Sequence, residues 1–303
     1  MNNFDCTLFN CKSLKKLSNY LLISSNNIKS LSNDFSNNPS KFFHKFFKDG
    51  RELFKCSLIV NKIHKRYFKI FNVDIPDYLK SSVRGRSNIT NAQYHQDASF
   101  VLLVDIRGFY PSTTKSKIKK RLILDYKLSS NVAEFIVNSI TAPQEKSENK
   151  RALITGSLFS QRFAFLINKK MFDEIDDISK KNGIKFSLYV DDMTFSSKKI
   201  ISYKFYTKIY NILKKYGYKI HQGKIYRGKI GKKSNITGVK LTKDGFRILN
   251  KHKDKILSIL EGRGDSRNIK RLCGLIQYAL QVNREYYLEK YSKIYNKNCK
   301  SNK

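Results

Sequence analysis

Phe100-Val101-Leu102-Leu103-Val104-Asp105 and Tyr189-Val190-Asp191-Asp192-Met193-Thr194-Phe195 are the two strings that decide how this chain reads. The first is an unbroken apolar run ending in a carboxylate, the pattern of a strand buried on both faces. The second sets two adjacent acids between Ile184 to Tyr189 and Met193 to Ser196, which read as two short strands of a hairpin. Two negative charges at the tip of an apolar hairpin repel each other unless a cation offsets them. Carboxylates fixed at the ends of neighbouring strands could share two Mg2+ ions about 3.5–4 Å apart, a donor set that suits in-line phosphoryl transfer. Taken singly, Asp191-Asp192 also fits a plain turn and Asp105 a helix N-cap. Asp176-Asp177 provides an internal contrast: it follows Glu174 in a helical pattern and reads as a solvated helix face.

Outward from these strings, apolar residues recur at helical spacing over Leu14 to Leu22, Leu58 to Ile70, Ser116 to Ile140, Phe159 to Ile178 and Tyr203 to Tyr216. The last of these stops at Gly217. Ser25 to Pro39 reads as a polar loop. Asp49-Gly50 between apolar runs signals a hairpin. Ile225 to Leu241 is strand-rich with glycine at its turns, and the final 50 residues are helical, carrying tyrosine and lysine. There is no internal repeat and no glycine- or proline-rich linker. Helices interleaved with strands predict an α+β domain followed by a helical appendage.

The chain has 303 residues, with 60 Lys plus Arg against 24 Asp plus Glu, a formal charge of +36. Such an excess favours a polyanion, most simply nucleic acid. AT-rich coding would enrich lysine without function, but it would not make acidic residues scarce. A basic membrane-surface protein fits less well, because no amphipathic anchor stands out. At 40% hydrophobic and 13% aromatic residues, the composition excludes a disordered chain. No run approaches the roughly 20 apolar residues that cross a bilayer, and Met1 to Asn10 does not read as a secretory signal. Cys6, Cys11, Cys56, Cys273 and Cys299 are scattered, so reduced cytosolic thiols are expected and a disulfide framework or structural zinc is not.

In order along the chain these strings resemble a reverse transcriptase. Asp105-Ile106-Arg107-Gly108-Phe109-Tyr110 matches that family's first palm motif, and Tyr189-Val190-Asp191-Asp192 its Tyr-x-Asp-Asp motif. Thr155-Gly156-Ser157-Leu158-Phe159-Ser160-Gln161 falls where the family has a loop touching template and nucleotide. Gly217-Tyr218-Lys219-Ile220, then Lys224, resembles the motif whose lysine approaches the incoming triphosphate. Within the family the chain most resembles the bacterial retron enzymes. Asn91-Ala92-Gln93-Tyr94-His95 matches their Asn-Ala-x-x-His signature, and Ile236-Thr237-Gly238 their Val-Thr-Gly signature. The middle loop departs from the family pattern, lacking its Pro-Gln before the glycine and its proline after Ser160. Val190 replaces the commoner alanine.

The resemblance implies a right-hand polymerase with fingers, a palm of antiparallel sheet backed by helices, and a helical thumb. It implies an N-terminal helical extension over 1–40, fingers and palm over 41–232, and a thumb with an RNA-binding region over 233–303. Asp105 and Asp191, with Asp192 in support and the Ile106 carbonyl, would hold two Mg2+ ions. Tyr110 would lie beneath the nucleotide sugar, or be an ordinary core aromatic. Gly156 would belong to the nucleotide-contacting loop. Arg51, Arg84 and Arg86 would clamp the triphosphate, or be solvated surface charge, and Lys224 would donate a proton. His95 would be a structural residue. Tyr278, Tyr286, Tyr287, Tyr291 and Tyr295 would offer one face for packing and one for stacking on RNA. The implied activity is RNA-directed DNA synthesis from dNTPs on a cognate structured non-coding RNA. The product would be branched, RNA-linked single-stranded DNA, made in the cytoplasm and used in antiphage defence with an accessory effector. The alternatives are a defence-associated reverse transcriptase with different priming and a catalytically inactive RNA-binding scaffold.

Overall fold

The computed structural model describes residues 6–147, 151–231, 234–242, 244–261 and 267–299. Met1 to Asp5, part of the stretch read for a secretory signal, and the expected domain boundary at 232/233 lie outside the described residues. The chain opens with helices α1 (Leu14–Leu21) and α2 (Ser25–Asn37), then the hairpin β1 (Phe43–Lys48) and β2 (Arg51–Cys56). There follow α3 (Leu58–Ile70), α4 (Asn88–Gln93), β3 (Phe100–Asp105), α5 (Phe109–Ser112), α6 (Lys115–Leu124) and α7 (Ser130–Asn138). Next come β4 (Thr141–Pro143), β5 (Arg151–Leu153), α8 (Ser160–Lys181), β6 (Lys185–Tyr189), β7 (Asp192–Ser197) and α9 (Tyr203–Lys215). Strands β8 (Tyr226–Lys229), β9 (Asn235–Ile236), β10 (Val239–Thr242) and β11 (Gly245–Ile248) precede α10 (Asn250–Leu260), α11 (Arg267–Val282) and α12 (Arg284–Asn298). The expected α+β class is borne out.

The chain divides into two compact units: 1–76, 106–175 and 209–220 form the first, and 77–105, 176–208 and 221–303 the second. The first holds an aromatic core. Phe35 meets Phe42 and Phe135 at ring separations of 4.5 and 5.6 Å, and Phe159 meets Tyr67 and Phe163 at 5.5 Å each. Its hairpin turns on Asp49 and Gly50, both at positive φ, as a two-residue turn compatible with strand twist requires. Where a polar loop was expected over Ser25 to Pro39, Ser25–Asn37 forms α2. The Ser24 hydroxyl caps it by accepting the Asn27 N–H, and Ile28 and Phe35 bury one face. Serine and asparagine hide such a helix because they also favour turns. The helical pattern from Ser116 to Ile140 is two helices, parted near Lys127, which takes φ +56°.

The second unit is built on an antiparallel sheet of strand order β6-β7-β3-β8. Val101 and Leu102 of β3 are fully buried, as the apolar run predicts. A second sheet, β11-β10-β9, packs with α4, α10, α11 and α12 around Ile236, Val239, Ile276, Ala279 and Tyr287. Cys273 of α11 and Cys299 beyond α12 form a disulfide, with their Cα atoms 5.5 Å apart. This corrects the expectation of free thiols throughout. Spacing of 26 residues carried no signal, and the pairing arises because α11 and α12 pack side by side.

Candidate active site

Strand β3 ends in Asp105 and β7 begins with Asp192, and the register sets these two residues directly opposite each other. Across the other edge of β7, Tyr189 pairs with Asp192, so Val190 and Asp191 are the two loop residues of the hairpin. Val190 holds φ +62°. A β-branched residue in that region stores strain of about 1–3 kcal/mol. Its N–H donates to Ser81 Oγ at 2.9 Å, and Leu188 exchanges backbone hydrogen bonds with Tyr78 and Lys80. The segment at 78–81 thus braces the hairpin from the side.

Asp105 is only 5% exposed. Lys224, in the short turn Gln222–Lys224, donates from Nζ to Asp105 Oδ2 at 2.7 Å, and the His221 N–H donates to the Asp105 carbonyl at 2.9 Å. The hydrogen bond to Asp105 holds the Lys224 ammonium above its ordinary pKa. Burial, and after it the charges of Asp191 and Asp105, pushes the Asp192 carboxyl up to about 7. Among the described residues no three His, Cys, Asp or Glu side chains stand close enough to hold a metal ion. The cation on Asp105 is the protein's own. The donor chemistry still suits magnesium: hard carboxylate oxygens crowd facing strands, and Asp192 carries the mark of repulsion that a divalent cation would offset. The site opens into a cavity of about 560 Å3, which also takes in Tyr189, Tyr226, Asn235, Thr237, Gly238 and Lys251. Sequence reasoning missed Asn235 and Lys251, which no motif marks.

The remaining candidates fall in different units. Arg84 and Arg86 share the second unit with the carboxylates. Arg84 is exposed, while Arg86 donates to the Leu79 carbonyl at 2.6 Å and pairs with Asp77 at 3.3 Å, which ties its own loop. Ile106, Tyr110, Gly156 and Arg51 belong to the first unit. Ile106 is fully buried, Tyr110 half-buried, and Arg51 exposed beside the hairpin turn. Gly156 has φ +106°, and a Cβ there would meet the Phe54 carbonyl oxygen at 2.8 Å, so only glycine fits. That unit also contains a cavity of about 810 Å3 bordered by Arg107, Lys117, Lys146, Lys214 and Lys219, with no carboxylate among the described residues that line it. Five cations facing one cavity suit a phosphoanion.

The two short signatures meet in the second unit. Asn91 Nδ2 donates to Thr237 Oγ1, Asn88 Nδ2 donates to the Thr237 carbonyl, and the Thr237 hydroxyl donates to the Asn88 carbonyl, each at 3.2 Å. His95 is fully buried, its ring nitrogens 2.6 Å from Ser196 Oγ and 2.7 Å from Ser187 Oγ. Those serines lie on β7 and β6, so His95 pins α4 to the back of the hairpin. Burial lowers it to about 3, and it stays neutral. Of the five tyrosines, Tyr287 and Tyr291 are core, and Tyr286 is the one that emerges, with the Arg247 guanidinium 3.8 Å from its ring centre.

Opposed carboxylates on an antiparallel sheet, with an acidic hairpin loop beside them, form the acidic cluster that the motif resemblance to reverse transcriptases implies. Comparison with known proteins narrows the class. The chain is 27% identical over 220 residues to the retron Se72 reverse transcriptase of Salmonella heidelberg (strain 579083-10), covering 67% of this chain and 56% of that protein. It is 23% identical over 232 residues to the retron Ec83 reverse transcriptase of Escherichia coli, covering 73% and 74%. It is 25% identical over 178 residues to the retron Mx162 reverse transcriptase of Myxococcus xanthus, covering 52% and 37%. The chain is a sequence relative of the bacterial retron reverse transcriptases, as its motifs indicate. The matches span about a third to three quarters of those relatives' lengths. No protein-family model matches. A foamy viral protease–reverse transcriptase in complex with double-stranded DNA aligns over 92% of this chain and 44% of its own, at TM-score 0.44 and 15% identity. Among the described residues no helix is long and apolar enough to cross a membrane.

Proposed function

We propose that the chain is a retron-type RNA-directed DNA polymerase. It binds a cognate structured non-coding RNA as template and primer and uses dNTPs to extend branched, RNA-linked single-stranded DNA. The observation that carries this reading is Asp105 opposite Asp192 at the sheet edge, with Asp191 in the adjoining loop. Asp105 and Asp191 would hold magnesium with Asp192 in support, and Ile106 would lend a backbone carbonyl. When bound, the metals supply Lewis acidity toward the attacking hydroxyl and neutralise charge on the leaving pyrophosphate.

The chain's own groups do the rest. Lys224 holds a proton at Nζ, now donated to Asp105 Oδ2, that it can give to the leaving group. Tyr110 lies beneath the sugar and excludes a 2′-hydroxyl. Arg51, Arg84 and Arg86 bind the triphosphate, and Gly156 lets its loop lie close to the nucleotide. The +36 charge supplies the attraction for RNA and DNA. The division into N-terminal extension, fingers with palm, and thumb, the cytoplasmic setting, an effector partner and a defence role belong to the same proposal.

The test is to purify the protein from its native locus and sequence the nucleic acid that accompanies it, with and without Asp191→Ala plus Asp192→Ala. RNA-linked DNA with the intact chain and none with the variant supports the reading. DNA without an RNA branch points to a different primer, RNA without DNA to a scaffold, and DNA from the variant overturns the assigned carboxylates.

A further inference from the structure

We propose that His64 is a positioning residue that clamps the Thr155–Gly156–Ser157 loop from beneath, setting how that loop meets template and nucleotide. The proposal rests on the polymerase reading above for what the loop does, and on the geometry of the first unit alone for how the loop is held.

His64 lies on α3 and is fully buried, with both ring nitrogens engaged. Nε2 is 2.8 Å from the Ser139 carbonyl oxygen, which can only accept, so Nε2 carries the proton. In a neutral ring Nδ1 is then an acceptor, and Ser157 Oγ stands 2.6 Å from it. Burial lowers His64 to about 4, so this neutral tautomer persists across the physiological range. Donating its one proton to His64, the Ser157 oxygen keeps its lone pairs and accepts the Phe159 N–H at 3.2 Å.

The loop is tied at two further points. The Phe54 N–H donates to the Thr155 carbonyl at 2.8 Å, and Gly156 presses so closely on Phe54 that no Cβ fits. Gly156 and Leu158, by contrast, face solvent. The loop is therefore fixed along its inner edge and open along its outer one. It contains no proline to limit its backbone, so the clamp does that work. An apolar side chain would fill the space beside Tyr67 and Phe159 without a desolvation cost. A histidine with one nitrogen on Ser139 and the other on Ser157 is explained by the loop it holds.

The experiment compares the full chain, bound to its co-purified RNA, with His64→Leu, His64→Gln and His64→Leu plus Gln161→Pro. Leucine keeps volume and loses both hydrogen bonds, while glutamine keeps one donor and one acceptor. Proline at 161 stands in the first turn of α8, where a backbone N–H has no partner within the helix. Two things are read: deuterium exchange of the peptide over 155–159, and KM and kcat for dNTP. For His64→Leu, exchange about tenfold faster and a KM raised about tenfold are expected, the size of one lost hydrogen bond, with kcat little changed. Glutamine and the added proline should each recover part of both. Unchanged exchange in His64→Leu overturns the clamp whether or not the chain polymerises. Faster exchange with unchanged KM, or KM and kcat falling together without recovery by proline, overturns the positioning role. Absence of dNTP incorporation by the unaltered chain overturns the polymerase reading and with it the loop's role, and leaves the exchange result to decide the clamp.

Discussion

Asn91 Nδ2 donates to Thr237 Oγ1 at 3.2 Å, a hydrogen bond between residues 146 positions apart. Both belong to the short signatures that the sequence shares with retron enzymes, and neither string is long enough to carry weight alone. In the fold they are one structure. Thr237, at φ +47°, turns the chain between β9 and β10, and Asn88 reaches both its carbonyl and the Tyr278 hydroxyl of α11, at 3.2 and 2.9 Å. With His95 anchored to β6 and β7, α4 ties the acidic hairpin to the helical end of the second unit.

Removing the Thr237 hydroxyl while keeping its shape should be costly. Asn91 is fully buried and its Oδ1 already lacks a partner, so Thr237→Val would strand Nδ2 as well. A loss of about 1–3 kcal/mol in denaturant unfolding is expected. Asn91→Leu in the same background should return part of it, and a strictly additive double-mutant cycle would remove this bond from the account.

Acid should weaken the fold through its two buried histidines. Burial lowers His64 to about 4 and His95 to about 3, whereas an unfolded histidine titrates near 6.5. Between those values the unfolded chain takes up protons that the folded chain refuses. Stability is therefore complete above about pH 6.5 and falls as pH drops toward 4, by about 3 kcal/mol for His64. Urea midpoints at pH 7, 6 and 5 should fall together for the unaltered chain, and His95→Gln should flatten the slope.

The carboxylate site was legible because its signals are local. An apolar run ending in Asp105 and an acidic pair between strands each fix an element, and the β3–β7 register brings them together. What stayed hidden depends on tertiary contact. In Ser25 to Asn37 serine and asparagine mask the helix, which burial of Ile28 and Phe35 and the Ser24 cap favour. His64 and Ser157 are 93 residues apart and share no motif. Tyr286 and Tyr287 are neighbours in sequence, yet one meets Arg247 at the surface and the other lies in the core, because the helix turns between them.

Gly156→Ala tests whether the loop above its clamp has slack. The new methyl would lie 2.8 Å from the Phe54 carbonyl oxygen, at a φ that side chains avoid. The strain alone is about 1–3 kcal/mol. A melting temperature unchanged from the unaltered chain would mean that the loop yields freely.

The disulfide makes a separate claim about the C-terminal helices. Closing a loop across 26 residues restricts the unfolded chain by about 3–4 kcal/mol in the chain-entropy description. Reductant, or Cys299→Ser, should lower the melting temperature accordingly. Alkylation in denaturant without reductant should label Cys6, Cys11 and Cys56 alone, and five labelled thiols would show that the bond does not form in solution.

Asp192 should set stability against activity. Its carboxyl is half-buried beside Asp191 and opposite Asp105, and burial, then the charges of those two, raise its pKa. Asp192→Asn keeps the shape and removes one of the three charges, so the chain without added metal should become more stable, by about 1–3 kcal/mol. Nucleic-acid synthesis should fall to background in the same variant. Magnesium supplies the complementary readout, since a ligand that binds only the folded state raises its stability with concentration. The melting temperature of the unaltered chain should rise as magnesium is added, whereas the variant should respond weakly. A less stable variant, or one whose response to magnesium is undiminished, would mean that Asp192 is held for structure, and that the charge crowded at this sheet edge is not kept for a metal.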